Sequence, residues 1–165
     1  MSFDSYLQIK GSNAPTGEST DPTYKNWIQL QSFSFGASNP STIGPGSPGS
    51  GGGRASVSSF NITHFYDNSS PDLFLGCCEG THFESATVVL RKAGGTQNVF
   101  LQYDFQEVYI DTVQQAGTAG ADDRPSETVS FSFEQVKITY TPQTSAGAKG
   151  TPNVKGWNVT TTAKV

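Results

Sequence analysis

Charge is what this sequence has least of. Only 15% of its 165 residues are Asp, Glu, Lys or Arg, against about a quarter in an ordinary globular domain. That excludes a coiled coil, a helical bundle rich in Glu and Lys, and a highly charged disordered chain. Methionine is absent after Met1, and the hydrophobic fraction is only 34%. No apolar run approaches the roughly 18 residues that span a bilayer, so no membrane insertion is expected. A basic excess is missing too. Ten Lys and Arg stand against fourteen Asp and Glu, which removes the footprint of a general nucleic-acid binder. The only cysteines, Cys77 and Cys78, are neighbours. A disulfide between neighbours closes a strained ring, so both read as core thiols and not as part of an oxidised framework. The start, Met1-Ser2-Phe3-Asp4-Ser5, has neither the basic nor the apolar region of a signal peptide, so the chain is expected either to be made in the cytoplasm or to have lost a leader not shown in this sequence.

What is present is aromatic and glycine-rich: 11 Phe, 6 Tyr, 2 Trp and 18 Gly. The length suits a single domain, residues 1–165. Val129, Phe131 and Phe133 alternate with serines, and the pattern resumes on the other parity as Val136, Ile138 and Tyr140. Such a slip at Glu134-Gln135 predicts a β-bulge. Val99 to Ile110 behaves likewise, slipping at Gln106-Glu107. Shorter strands are expected at Ser5–Lys10, Trp27–Phe35, Ser56–Phe65, Ala86–Lys92 and Trp157–Val165. The fold class is therefore all-β, an antiparallel barrel or two-sheet sandwich. One short flanking helix is predicted near residues 70–79, from the cap candidates Asn68-Ser69-Ser70, then Pro71, Asp72 and a terminating Gly80. Two segments should be irregular: the Gly/Pro-rich stretch 36–53, and Ala116 to Arg124.

Chemical motifs dissolve on inspection. Gly44-x-Gly46-x-x-Gly49 fits the dinucleotide fingerprint literally, but Pro45 and Pro48 interrupt it and a strand pattern follows. His64 and His82, with Cys77, Cys78, Glu79 and Glu84, could be imagined around a metal. Adjacent cysteines are not a recognised zinc pair, however. No Gly-x-Ser-x-Gly elbow is present, and the carboxylate pairs Asp122-Asp123 and Asp104 with Glu107 suit polar faces. No enzyme activity, cofactor or metal is expected.

Read in order, the segments resemble a known family. They are Lys10-Gly11, Glu18-Ser19-Thr20-Asp21, Trp27-Ile28-Gln29-Leu30 and Ser32-Phe33-Ser34-Phe35-Gly36, then Arg54 leading to Val57 and Phe60. Ser70-Pro71 with Leu73, Cys78-Glu79-Gly80-Thr81-His82 and Arg91-Lys92-Ala93-Gly94-Gly95 follow. The series closes with Asp123-Arg124-Pro125, Glu127-Thr128-Val129, Tyr140-Thr141-Pro142-Gln143 and Gly156-Trp157-Asn158. The chain resembles the Hcp family, the hemolysin-coregulated proteins that build the inner tube of bacterial type VI secretion systems. The resemblance implies a homo-hexameric ring, rings stacked into a hollow tube, a spike protein at the tip and a contractile sheath outside. It also implies small effector proteins in the lumen, and residence in the bacterial cytoplasm before secretion without a cleaved signal peptide. Some relatives carry a toxin domain after this point; with Trp157 so near the end, none is expected here.

The resemblance also assigns residues. In the family the loop matching 36–53 helps one ring engage the next, which marks Gly36, Asn39, Gly44, Gly46, Gly49 and Gly53. The stretch Gly44 to Gly53 is richer in Pro and Gly than the family pattern. The Ser between two aromatics, Ser34, matches a lumen residue that contacts cargo. Strand periodicity alone sends Phe33 and Phe35 one way and Ser34 the other. An outer or subunit-contacting face for Ser34 remains the other reading. For the whole chain, the alternative is a β-sandwich or barrel that binds a small ligand or carbohydrate, since aromatic richness would serve that equally.

Overall fold

The computed structural model describes residues 2–40, 52–120 and 124–165. In chain order its elements are β1 (Phe3–Lys10), β2 (Ile28–Gln29), β3 (Ser32–Ser34), β4 (Ala37–Ser38), β5 (Ser56–Val57) and β6 (Phe60–Phe65). Then come α1 (Ser70–Glu79), β7 (His82–Lys92), β8 (Val99–Ala116), β9 (Ser126–Tyr140), β10 (Asn153–Asn158) and β11 (Ala163–Lys164). β8 and β9 are the spine, paired antiparallel along nearly their whole length. Beyond β8 lie β7, β1 and β2; beyond β9 lie β10 and β11. The same edge of β9 also carries β6 along its first half, and β3 pairs with β6. Sharing one edge between β6 and β10 makes the sheet fork into two layers.

Between the layers sits an aromatic core. Phe105 packs 4.7 Å from Phe133, 5.1 Å from Phe131 and 5.0 Å from Phe60, centroid to centroid. Leu7, Ile28, Ile62, Leu73, Phe83 and Val88 complete it, all effectively shielded from water. Close aromatic pairs contribute about 0.5–1.5 kcal/mol each beyond the area they bury. This is how a chain poor in aliphatics fills its interior.

Several expectations need correction. The candidate strand Trp27–Phe35 is two strands, because its partner changes midway. Leu30 N donates to Ser5 O, and Gln31 N donates to Thr63 O. That crossing is not a continuous ladder, so the sandwich describes the fold and a closed barrel does not. Ser56–Phe65 likewise divides into β5 and β6. The candidate strand Trp157–Val165 divides into β10, which begins at Asn153, and β11, with the chain turning back after Asn158, whose Oδ1 accepts Thr161 N at 2.8 Å. β7 starts at His82, four residues before the periodicity is clear.

The predicted bulge at Glu134-Gln135 is also corrected. Gln106 faces Gln135 and Val108 faces Phe133, so both strands slip at facing positions and the slips cancel. Glu107 absorbs the change with φ 55°. The true register shift lies further on: Ile110 pairs with Phe131 but Thr112 with Ser130, leaving Asp111 extra.

α1 follows its sequence signals with one exchange. Ser69 sits at the cap but makes no capping bond with its side chain. Asp67 organises the turn instead: Ser69 N donates to its Oδ1 at 2.8 Å, and Asp67 N donates to Ser70 Oγ at 3.1 Å. Gly80, at φ 66°, ends the helix, with Gly80 N bonded to Cys77 O and Thr81 N to Gly76 O. Gly76 is where the helix meets β7, since a Cβ there would lie 3.2 Å from the Phe83 ring. Cys77, half-buried, packs against the core, but Cys78 is exposed and is not a core thiol. The helix buries too little of itself, at Ser70, Leu73 and Gly76, to hide both.

β6 begins where the β4–β5 ribbon leaves the sheet and ends where α1 begins. The pairs β6–β9, β9–β8, β8–β7 and β7–β1 are all antiparallel. Register sets the levels: His82, at the start of β7, faces Tyr109, one residue from Ile110, which faces Phe131 and through it Phe60 at the start of β6, so α1 runs back along β6 and ends level with the base of the ribbon.

Candidate functional site

Ser34 lies on β3 opposite Asn61 of β6, exposed, while Phe33 and Phe35 turn inward. Phe33 stacks on Phe60 at 5.6 Å, and Phe35 lies 5.6 Å from the same ring. The alternation expected of Phe33-Ser34-Phe35 is therefore observed. Across the sheet, Ser34 begins a row that continues through Asn61, Ser130 and Thr112. Ser130 Oγ donates to Asn61 Oδ1 at 2.6 Å, and Thr112 Oγ1 donates to Ser130 Oγ at 2.9 Å. Beside this row the extra residue Asp111 accepts from Ser59 Oγ at 2.6 Å and Ser132 Oγ at 2.9 Å. The outcome is a sheet face of hydroxyls and amides with one carboxylate. Its hydroxyls bond to one another and to Asp111, not to a histidine, so the arrangement suits passive polar contact and not nucleophilic attack.

Next to this face the chain leaves as a two-stranded ribbon. Ala37 pairs with Val57 and Ser38 with Ser56. At its base Gly36 N donates to Ser58 Oγ at 3.1 Å, and Ser58 N returns a bond to Gly36 O at 2.9 Å. Further out, Gly53 N donates to Pro40 O at 3.0 Å. A Cβ at Gly53 would fall 2.6 Å from that same oxygen, so only glycine allows the strands to approach there. Asn39 is exposed on the ribbon, and a Cβ at Gly36 would meet nothing within 4 Å. Gly44, Gly46 and Gly49, with the fingerprint they form, lie outside the described residues, as do Asp122 and Asp123.

The two histidines go to separate carboxylates. His82 pairs with Glu107 on the surface. His64 Nε2 lies 2.8 Å from Glu127 Oε1, both side chains fully buried, and Gln115 Nε2 donates to the other Glu127 oxygen at 2.7 Å. His64 and Glu127 are direct cross-strand partners, a placement that needs the β6–β9 register and so is invisible in either strand alone.

A second polar cluster also escaped sequence reading. The segment between β1 and β2 folds back over the outer face of β1 and β7, bringing Asp21 onto Arg91. Arg91 also donates to Tyr6 Oη at 3.1 Å and lies 3.6 Å from Asp4. Its guanidinium sits 5.2 Å from the Tyr6 ring and 5.4 Å from Tyr24. The hydrogen bond from Arg91 holds the Asp21 carboxyl below the usual carboxylate range. Reciprocally, Asp21 raises Arg91, while burial raises the Tyr6 and Tyr24 phenols. The only warning in the sequence is an arginine that closes the apolar run Val88-Val89-Leu90. This cluster ties down a strap; it is not an open site.

Comparison with known proteins now decides the family. A family model described as type VI secretion system effector, Hcp, matches residues 6–140. The chain belongs to the Hcp family. Protein hcp1 of Pseudomonas aeruginosa is 37% identical to this Hcp-family chain over 108 residues, 64% of the chain and 66% of that relative's length. One solved structure of a type six secretion system protein matches with a TM-score of 0.93 at 31% identity, covering 99% of this chain and 100% of that one. Hcp1 from Salmonella typhimurium matches with a TM-score of 0.82 at 29% identity, over 100% of both chains. The mainly-β sandwich with one short helix is thus the Hcp fold, and the chain is a type VI secretion Hcp protein. Among the described residues, no helix is long and apolar enough to cross a membrane.

Proposed function

We propose that this Hcp-family chain is a structural subunit of the type VI inner tube. Six copies close into a ring, rings stack into a hollow tube, and the tube carries small effectors. A spike protein caps it, a contractile sheath surrounds it, and the chain stays in the bacterial cytoplasm until it is fired. The observation that carries this reading is the end-to-end likeness to a type six secretion system protein. Two features of the chain support it. Ser34 and its neighbours form a polar face with a single carboxylate, suited to lining a channel that holds cargo weakly. The β4–β5 ribbon pairs only with itself and its Ala37, Ser38 and Ser56 are exposed, which leaves it available to another copy.

The aromatic richness on which the sugar-binding alternative rests goes mostly into the core. Phe33, Phe35, Phe60, Phe105, Phe131 and Phe133 pack on each other inside the sandwich and so cannot offer an outward stacking platform. Light scattering after size-exclusion chromatography tests the reading. Mass near six chains is expected, and a monodisperse monomer at tens of micromolar overturns it.

A further inference from the structure

Both ring nitrogens of His64 face carboxylates. Nε2 lies 2.8 Å from Glu127 Oε1, and Nδ1 lies 3.8 Å from Asp67 Oδ2. The His64 and Glu127 side chains are wholly shielded from water, and that of Asp67 is only 6% exposed. Ser69 and Ser70, which lead from Asp67 into α1, are fully buried too. Nδ1 has no hydrogen-bond partner.

The number of protons follows from these positions. A carboxylate oxygen only accepts, so the short Nε2 contact needs one proton between its two atoms. Were Nδ1 bare, its lone pair would face the Asp67 oxygen with no donor between them. That adds repulsion to a buried, unsatisfied acceptor. A second proton, on Nδ1, makes the ring a cation between two anions. At 3.8 Å the Nδ1 approach is an ion contact and not a hydrogen bond. From β8 the facing group is the neutral amide of Gln115, which donates to the second Glu127 oxygen and so suits an ionised carboxylate. Glu18 and Arg124, of opposite charge, line the cleft that Asp67 also lines.

Asp67 links the ring to the helix. Its Oδ1 accepts Ser69 N at 2.8 Å, and its own N donates to Ser70 Oγ at 3.1 Å. We propose that His64 is a doubly protonated imidazolium that latches the start of α1 to β6 and β9, and that loss of the Nδ1 proton releases the helix start. The latch lies within one chain and does not depend on the tube reading. Above about pH 6.5 an exposed imidazole is bare. Opening the turn there gives up the Nδ1 proton, so rising pH favours the open form by up to about tenfold per unit.

Asp67→Asn tests it, because the shape of the side chain is kept. The amide oxygen can still accept Ser69 N, while the NH2 replaces Oδ2 and can donate to a bare Nδ1. Protein labelled with 15N-histidine, in a His82→Gln background that leaves one imidazole, is sedimented at about pH 7.5, above the ordinary histidine range, and read by solid-state NMR. Two protonated ring nitrogens are expected with Asp67 in place, and one protonated and one bare in Asp67→Asn. A bare nitrogen with Asp67 in place overturns the imidazolium. Hydrogen exchange then reads the latch through the amides of Ser69 and Leu73, which bond to Asp67 and to Ser69 O. Above about pH 6.5 their protection factors should fall by up to about tenfold per pH unit with Asp67 in place, and stay level in Asp67→Asn. Equal slopes in the two proteins, or no slope in either, overturn the latch even where the imidazolium is seen.

Discussion

Ser34 shows how far a single side chain can be read. Periodicity alone puts it opposite two phenylalanines, and the structure places it at the head of a hydroxyl row. Contact with cargo is a separate matter. Ser34→Gln adds bulk and a second polar atom to that row without touching the Phe33 and Phe35 packing behind it. Ring mass should stay unchanged while effector co-purification falls. Loss of the ring would instead put Ser34 in a subunit interface, and unchanged co-purification would remove it from the cargo surface. Asp21 carries a different kind of consequence. Its carboxyl is held low by Arg91, so the stability it contributes is complete at neutral pH. That contribution is lost as pH falls below about 4, through the depressed folded value. Asp21→Asn should therefore melt lower than wild type at pH 7, with the two curves converging in strong acid. An equal gap at both pH values would mean that the ion pair is not the source.

At the scale of elements, legibility followed locality. The helix from Ser70 to Gly80 could be bounded because its start, its proline and its terminating glycine all lie within its own sequence. Strands that change partner could not. Trp27–Phe35 reads as one run because its break is made by Ser5 and Thr63, which are distant in sequence. Both parity slips, at Gln106-Glu107 and at Glu134-Gln135, were visible; only pairing them shows that they face each other and cancel. The Asp21–Arg91 and His64–Glu127 contacts escaped for the same reason, each depending on a tertiary approach with no local signature. The ribbon is the element with the least to lose in the monomer. Its strands pair with each other, and Ala37, Ser38 and Asn39 are exposed. Deleting Gly44–Gly52 shortens it beyond Pro40 and spares the core. Monomer folding and ring mass should survive, and stacks should not. Normal stacks in electron microscopy would make the segment a mere connector.

The whole molecule is one-sided. The ribbon is a separate two-stranded sheet, and no second ribbon balances it among the described residues. A polymer in which each ribbon reaches the next copy has chemically different tips: one tip shows free ribbons, and the other does not. Growth and capping can then be assigned to different machinery without any change in the subunit. It also makes copies without the ribbon potent in mixtures. Such a copy can still accept a neighbour's ribbon but offers none onward. Incorporated sparsely, it would act as a chain terminator, and tube length would report its proportion much as polymer length reports a one-sided monomer.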